Sequence, residues 1–305
     1  MTTKFKECFG SLRVQSVLYG NDVPRIEKTI RHLNRAADLA VAKGLFSSVE
    51  LIYGDASPQR LLSDEMLTAI TKECDALRVI EVDFFGGNLG SAAGHNRLLE
   101  GTTTDFVLIM NPDVMLAPDA LIELARPFTE KDIGLVEARQ LPIEHPKEYN
   151  VVTGETGWAT TACALIPTSL IKSINGFDSN SFFLYCDDVD LSWRIRIAGR
   201  KIIYQPSASV FHDKRLSHEG KWLPSGSEQY YSAEAALMMA YKYSRPGLVQ
   251  DLLNSFQNSD SSNLKKAAEK FVDRRDSNEL PSQLDQSHKV SCFAGDFYTN
   301  HRFSL

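Results

Sequence analysis

Between Arg13 and Ala138 the chain alternates short apolar, β-branched runs with longer segments whose apolar residues recur at helical spacing. The runs Arg13 to Leu18, Val49 to Tyr53, Leu77 to Val82, Phe106 to Met110 and Ile133 to Ala138 read as strands. Asp22 to Lys43, Ser63 to Cys74, Gly90 to Glu100 and Pro118 to Pro127 read as the helices between them, with Pro118 suited to a first helical turn. Strands separated by helices of this length predict an α/β fold: a mostly parallel sheet covered by helices on both faces. In such sheets ligands bind beyond the carboxyl ends of the strands. Those ends hold Gly20-Asn21, Gly54-Asp55-Ala56-Ser57, Gly86-Gly87-Asn88 and Asn111-Pro112-Asp113, so one edge is marked as the site.

After about residue 140 the rhythm changes. Glu155 to Pro167 and Lys201 to His212 read as short strands, and Asp187 to Ala198 as a helix. Glu228 to Tyr243, Gly247 to Phe256 and Asn263 to Arg274 read as helices, followed by a polar tail with an aromatic ending. This organisation predicts a main domain over residues 1–243 and a C-terminal helical extension with tail over 244–305.

Composition narrows the function classes. The net charge of -6 argues against a general nucleic-acid binder, which carries a basic footprint. No apolar run approaches the ~20 residues that cross a bilayer, and MTTKFKECFG lacks a signal-peptide core. The five cysteines are scattered and form no CxxC pair, which fits free thiols in a reducing compartment. A cytoplasmic protein is expected.

The densest chemistry lies in Gly176 to His212, where Asp187, Asp188 and Asp190 crowd between an aromatic run and a helix. Neighbouring carboxylates repel one another, so this cluster points to use on a cation or a proton. A plainer reading is an acidic helix N-terminus favoured by the dipole, with Asp190 and Arg194 paired at i,i+4. Upstream, Asp113 sits at the tip of the apolar run Phe106 to Met110. It reads as a metal ligand or as a turn residue.

The ordered set Asn88-Leu89-Gly90, Ala93-Gly94-His95-Asn96, Asn111-Pro112-Asp113, Gly176-Phe177-Asp178, Tyr185-Cys186-Asp187-Asp188-Val189-Asp190-Leu191-Ser192 with Arg194, Pro206 and His212 resembles family 2 glycosyltransferases of the GT-A fold. Within that family it is most similar to the rhamnosyltransferase-like members. The resemblance runs from about Arg13 to Tyr243 and implies a Rossmann-like catalytic domain. It also implies a sugar passed from a nucleotide-diphosphate donor (dTDP-, UDP- or GDP-linked) to a saccharide or lipid-linked acceptor hydroxyl. The leaving diphosphate gathers negative charge, so the resemblance implies a divalent metal, Mn²⁺ or Mg²⁺, as cofactor. Asn111-Pro112-Asp113 resembles the DxD element with its first Asp replaced, leaving Asp113 as the acidic ligand. His212 resembles the histidine that completes the metal site, with His218 as a substitute candidate.

Asp188 resembles the general base of the family's Glu-Asp pair, and Asp187 takes the glutamate's place as a catalytic or acceptor contact. Asp55 falls beside the element that contacts the nucleobase, although an ordinary turn acid is the alternative. Tyr19, Asn21, Asn88, Gly90, Asn96 and Asn111 are the remaining donor-side candidates. For Asn88, Gly90 and Asn96 a capped helix start competes. Trp158 either stacks on the acceptor sugar or packs in the core. The absence of a Gln-x-x-Arg-Trp element favours single-sugar transfer, and one in-line attack implies inversion.

Two other classes remain on the sequence. A sugar-phosphate nucleotidyltransferase would need a glycine-rich, arginine-bearing loop where Tyr19 to Pro24 stands. A catalytically silent nucleotide-sugar binder or assembly protein would have lost the acids at 113 or 188. Leu264 to Arg275 is a basic amphipathic segment, read either as a helix packed on the domain or a second subunit, or as a peripheral contact at the inner face of a membrane. Self-association into a homo-oligomer is left open.

Overall fold

The computed structural model describes residues 8–144, 147–213 and 226–299. Strand β1 (Ser11–Leu18) leads into α1 (Val23–Ala42), which opens at Pro24 and buries Ile26, Ile30, Leu33, Ala37 and Ala40 along one stripe. Then come β2 (Ser48–Asp55), α2 (Asp64–Glu73), β3 (Leu77–Phe84), α3 (Gly90–Leu99) and β4 (Phe106–Met110). Ser63 caps α2, its hydroxyl oxygen accepting the Met66 N–H at 3.3 Å. Two short elements follow, β5 (Val114–Leu116) and α4 (Ala120–Ala125), the latter continuing into a 3₁₀ turn over Arg126–Thr129. The helix starts at Ala120, two residues beyond the expected Pro118.

The second half contains β6 (Ile133–Leu141), β7 (Glu155–Thr156), β8 (Cys163–Pro167), α5 (Thr168–Ser173), α6 (Asp187–Ile197) and β9 (Lys201–His212). Three helices close the described chain: α7 (Gly226–Lys242), α8 (Pro246–Gln257) and α9 (Ser262–Asp276). The sheet order is β3-β2-β1-β4-β8-β6-β9-β5, with β7 beside β9. Pairings β1–β2, β2–β3, β1–β4 and β6–β9 are parallel, while β8 runs antiparallel to both β4 and β6. It follows that β1, β2, β3, β4, β6 and β9 point the same way. The carboxyl ends of β1, β4, β6 and β9 therefore share one edge.

Side chains of β4 alternate between faces, as a strand's period of two requires. Leu108 and Met110 enter the core under α1 and α4, whereas Val107 and Ile109 enter the core under α3, α5 and α6. The strand expected over Lys201 to His212 is present as β9, interrupted by an irregularity in its pairing with β6. The pairing with β6 jumps from Gln205 to Ser209, lifting Pro206 out of the ladder, where its missing N–H costs nothing. Beyond that bulge, β9 also pairs with β5.

A third core joins Val189 and Trp193 of α6 to α7, α8 and α9. Ala267, Ala268 and Phe271 are buried, and the Phe271 ring meets Tyr241 of α7 edge-on at 6.0 Å. The apolar face of α9 is thus covered by the protein itself. Among the described residues no helix is long and apolar enough to cross a membrane.

Candidate active site

The shared strand edge opens on a cleft of about 530 Å³. Its first wall comes from the turn after β4. Val114 donates its N–H to the Asn111 carbonyl at 3.2 Å, closing a tight turn that sends β5 back along β9. The antiparallel register pairs Val114 with His212, and Asp213 donates its N–H to the Asp113 carbonyl at 3.1 Å. Residues 99 positions apart (212 minus 113) thereby meet, with His212 Nε2 3.3 Å from Asp113 Oδ1. Asn111 Nδ2 lies 3.5 Å from the same ring nitrogen.

The opposite wall is the start of α6. Asn96 clamps the approach to it: its Oδ1 accepts the Phe177 N–H at 2.8 Å and its Nδ2 donates to the Phe177 carbonyl at 2.7 Å. At Gly90 a φ of 76° and the missing Cβ let the Phe183 carbonyl accept the Ser91 N–H at 3.0 Å. A Cβ there would stand 2.4 Å from that oxygen. Tyr185 and Cys186 then adopt left-handed φ values of 66° and 56°, two consecutive strained non-glycine residues immediately before the acids. Strain of this kind is retained where the surrounding structure enforces it, and it concentrates at functional sites.

Asp187, Asp188 and Asp190 occupy the first turn of α6, where the helix dipole favours negative charge. Their surroundings then separate their roles. Asp190 is fully buried and accepts from Arg194 Nε at 2.7 Å, Lys242 Nζ at 2.6 Å and the Tyr243 hydroxyl at 2.9 Å. It ties α6 to α7. Asp187 lines the cleft but is buried, and one of its oxygens has no partner among the described residues. Burial pushes its carboxyl up, the Asp190 charge adds to this, and the Ser91 hydroxyl opposes it. Asp188 lines the same cleft and accepts the Val189 N–H at 2.8 Å.

The cleft also gathers Asn21 and Asn111 from the expected donor side. Other candidates fall elsewhere. Asp55 is fully buried, and its two oxygens accept the N–H groups of Ser57 at 3.0 Å and Leu61 at 2.7 Å. Asn88 turns its Oδ1 to the Gly90 N–H at 3.0 Å. Asn88 and Gly90 build the α3 start, Asn96 holds Phe177 from further along α3, and none of the three lines the cleft. Tyr19 is 56% exposed and donates its N–H to Asn21 Oδ1 at 2.8 Å. Trp158 is buried, with the Lys147 ammonium 4.2 Å from its ring centroid and Tyr298 edge-on at 4.8 Å, so core packing accounts for it. His218 lies outside the described residues.

Several cleft residues have no counterpart in the sequence reading: Arg25, Ser91, Gln140, Thr160 and Glu228. Arg25 sits one residue after the proline that opens α1, in the first turn of the helix that follows β1. Arg25 pairs with Asp213 at 2.7 Å. Gln140 and Thr160 carry no local signal.

Asp113 and His212 supply a carboxylate and an imidazole on one side of an open cleft, a mixed donor set suited to Mn²⁺ and acceptable to Mg²⁺. Among the described residues no cluster of three or more His, Cys, Asp or Glu side chains forms a metal cage. Such a pair fits a cation whose remaining ligands are substrate phosphates and water.

Known proteins place this architecture. The mannosyltransferase PcManGT from Pyrobaculum calidifontis, solved with GDP-Man and Mn2+, superposes with a TM-score of 0.55 at 16% identity over 88% of this chain and 72% of its own. That likeness shows the fold, a GT-A glycosyltransferase fold. In sequence the chain is 29% identical over 206 residues to the N-acetylglucosaminyl-diphospho-decaprenol L-rhamnosyltransferase of Mycobacterium tuberculosis, covering 52% of this chain and 67% of the relative. It is 23% identical over 138 residues to the rhamnosyltransferase WbbL of Escherichia coli, covering 35% of this chain and about half, 52%, of that relative. The sequence model described as Glycosyltransferase like family 2 matches residues 38–223, more than half of the chain, and the chain belongs to that family.

Proposed function

We propose that the chain transfers a single sugar from a nucleotide-diphosphate donor to an acceptor hydroxyl, with inversion and with a divalent cation as cofactor. The observation that carries this reading is the convergence of the Asp113–His212 pair and the Asp187–Asp188 turn on one cleft. Asp113 and His212 would hold the cation, which when bound offsets the charge of the leaving diphosphate. Asn21, Asn111 and Arg25 line the side of the cleft where the donor would lie.

Asp188 is the proposed general base. It takes the proton of the acceptor hydroxyl as that oxygen attacks the anomeric carbon from the face opposite the diphosphate. The new carbon–oxygen bond forms as the bond to the diphosphate breaks, and the electron pair leaves with the diphosphate. One displacement inverts the anomeric centre. Asp187, whose carboxyl burial pushes up, is suited to holding a proton and hydrogen-bonding the acceptor. The relatives' names support L-rhamnose as the sugar and a lipid-linked saccharide as the acceptor.

A screen of dTDP-, UDP- and GDP-linked sugars with and without Mn²⁺ or Mg²⁺ tests the activity, with the product's anomeric configuration read by NMR. Asp188→Asn should keep donor binding and lose roughly 10²–10⁴-fold in turnover, as removal of a general base does. Near-normal turnover in that variant, or retention of configuration, would remove this mechanism.

A further inference from the structure

We propose that Gln140 is a positioning residue, held by a buried hydrogen-bond chain from Glu137 through Thr160, that fixes His212 with its hydrogen on Nδ1 and its lone pair on Nε2 toward the cleft. The inference builds on the reading of Asp113 and His212 as the cation pair, although the ring's tautomer can be measured without any cation.

The polarity of the chain follows from its far end. Glu137 is fully buried on β6 and ion-paired with Lys147, so both of its oxygens serve as acceptors. Thr160 has one hydroxyl hydrogen and donates it to Glu137 Oε1 at 2.8 Å. The Thr160 oxygen can then only accept, and it does so from Gln140 Nε2 at 2.8 Å. That turns the Gln140 carbonyl toward His212, with Oε1 2.7 Å from Nδ1. A carbonyl oxygen cannot donate, so the hydrogen in this contact belongs to Nδ1. A neutral ring with hydrogen on Nδ1 keeps its lone pair on Nε2, the nitrogen 3.3 Å from Asp113 Oδ1.

Flipping the Gln140 amide would set its carbonyl against a Thr160 oxygen whose hydrogen is committed to Glu137, so the Thr160 end of the chain fixes the amide. Gln140, Thr160 and His212 are all buried, so water offers little relief for such a mismatch. The sheet sets the distances: Gln140 pairs with Val210 in the β6–β9 ladder, two residues before His212 and on the same strand face. Without the chain, His212 could place its hydrogen on Nε2 and donate it to Asp113. That would close the pair against a cation. Hydrogen bonds of this outer kind orient a ligating imidazole and raise its basicity.

The test uses the full chain labelled with ¹⁵N-histidine and free of metal. Long-range proton–nitrogen correlation assigns the His212 tautomer directly. The expected wild-type result is a protonated Nδ1 and a bare Nε2. Gln140→Leu should shift the ring toward the Nε2-protonated form and weaken Mn²⁺ uptake with UDP by about 10–100-fold. Gln140→Glu gives up the bond to Thr160 but still presents an acceptor to Nδ1 and should keep the wild-type tautomer, a rescue that a merely space-filling role would not predict. Thr160→Val should give a mixed tautomer. A wild-type His212 protonated on Nε2 overturns the proposal even if every variant fails to fold. An unchanged tautomer in folded Gln140→Leu also overturns it. A bare Nε2 in a wild-type chain that takes up no Mn²⁺ with UDP supports the positioning chain and counts instead against the cation reading.

Discussion

Lys242→Met should destabilise the protein by about 3 kcal/mol at pH 7, the low end of the cost of stripping one partner from a buried ion pair. Lys242 is 4% exposed and its ammonium lies 2.6 Å from both Asp178 Oδ2 and Asp190 Oδ1. The low end applies because neither acid is left wholly alone. Asp190 keeps Arg194 and the Tyr243 hydroxyl, and Asp178 keeps the Ser181 N–H and a side chain 20% exposed. The pH dependence gives a sharper check. Burial works to raise the Asp178 carboxyl, and the Lys242 ammonium with the Ser181 N–H outweighs it, holding the group below its ordinary range. A carboxyl depressed by folding contributes stability that is complete above about pH 4, and loses it as pH falls through its lower folded value. The gap between wild type and Lys242→Met should therefore narrow below about pH 4. Urea unfolding at pH 7 and at pH 3.5, with unchanged m-value, measures both quantities. A loss under about 1 kcal/mol at pH 7, where removing a buried partner should cost 3–5, or a gap that ignores pH, would refute the reasoning. Since Asp190 anchors the helix that carries Asp188, turnover in Lys242→Met should fall while the nucleotide's affinity changes less.

Asp113→Ala and His212→Ala should each weaken Mn²⁺-dependent nucleotide affinity by at least about 10-fold in titration calorimetry, more than loss of an outer-sphere partner alone at its smallest; unchanged affinity in both would dissolve the shared site. Gly90→Ala forces a side chain into the 2.4 Å approach of the Phe183 carbonyl at a left-handed φ, so thermal unfolding should show a loss of about 1–3 kcal/mol, together with reduced turnover from a displaced Asp187–Asp188 turn. Phe271→Ala should cost about 3–5 kcal/mol and lower the unfolding transition of the α7–α9 core, read by circular dichroism; a near-neutral result would mean that α9 does not hold that core.

The longer strands and helices of the first half were legible because they have the length to show their period. The elements that escaped, β5 with three residues and α5 with six, are too short for any period to register. That gap matters, because β5 is what carries Asp113 to His212. Sequence alone could name both residues, each at the end of an apolar run, but only the Val114–His212 register explains why they touch. The β6–β9 register in turn depends on a bulge at Pro206, and so the place of Gln140 beside His212 was out of reach of any local signal.

The donor-side candidates separate on a different physical ground. A buried loop must satisfy its own backbone N–H groups, and the nearest polar side chain is often the one that does it. Asp55 spends both oxygens on Ser57 and Leu61, Asn88 turns to Gly90, and Asn96 is used at both ends on Phe177. Asp55 and Asn88 look in sequence like ligands at strand tips and accept instead from the loops that bear them, while Asn96, on α3, holds the distant segment that leads into α6. In the Asp113 turn the Val114 N–H goes to the Asn111 carbonyl, and the Asp113 carbonyl is met by the Asp213 N–H. The Asp113 side chain meets His212 on the same wall of the cleft. Whether an acid at a strand tip serves a loop or a ligand is decided by how that loop balances its backbone donors, and that balance depends on contacts far apart in the chain.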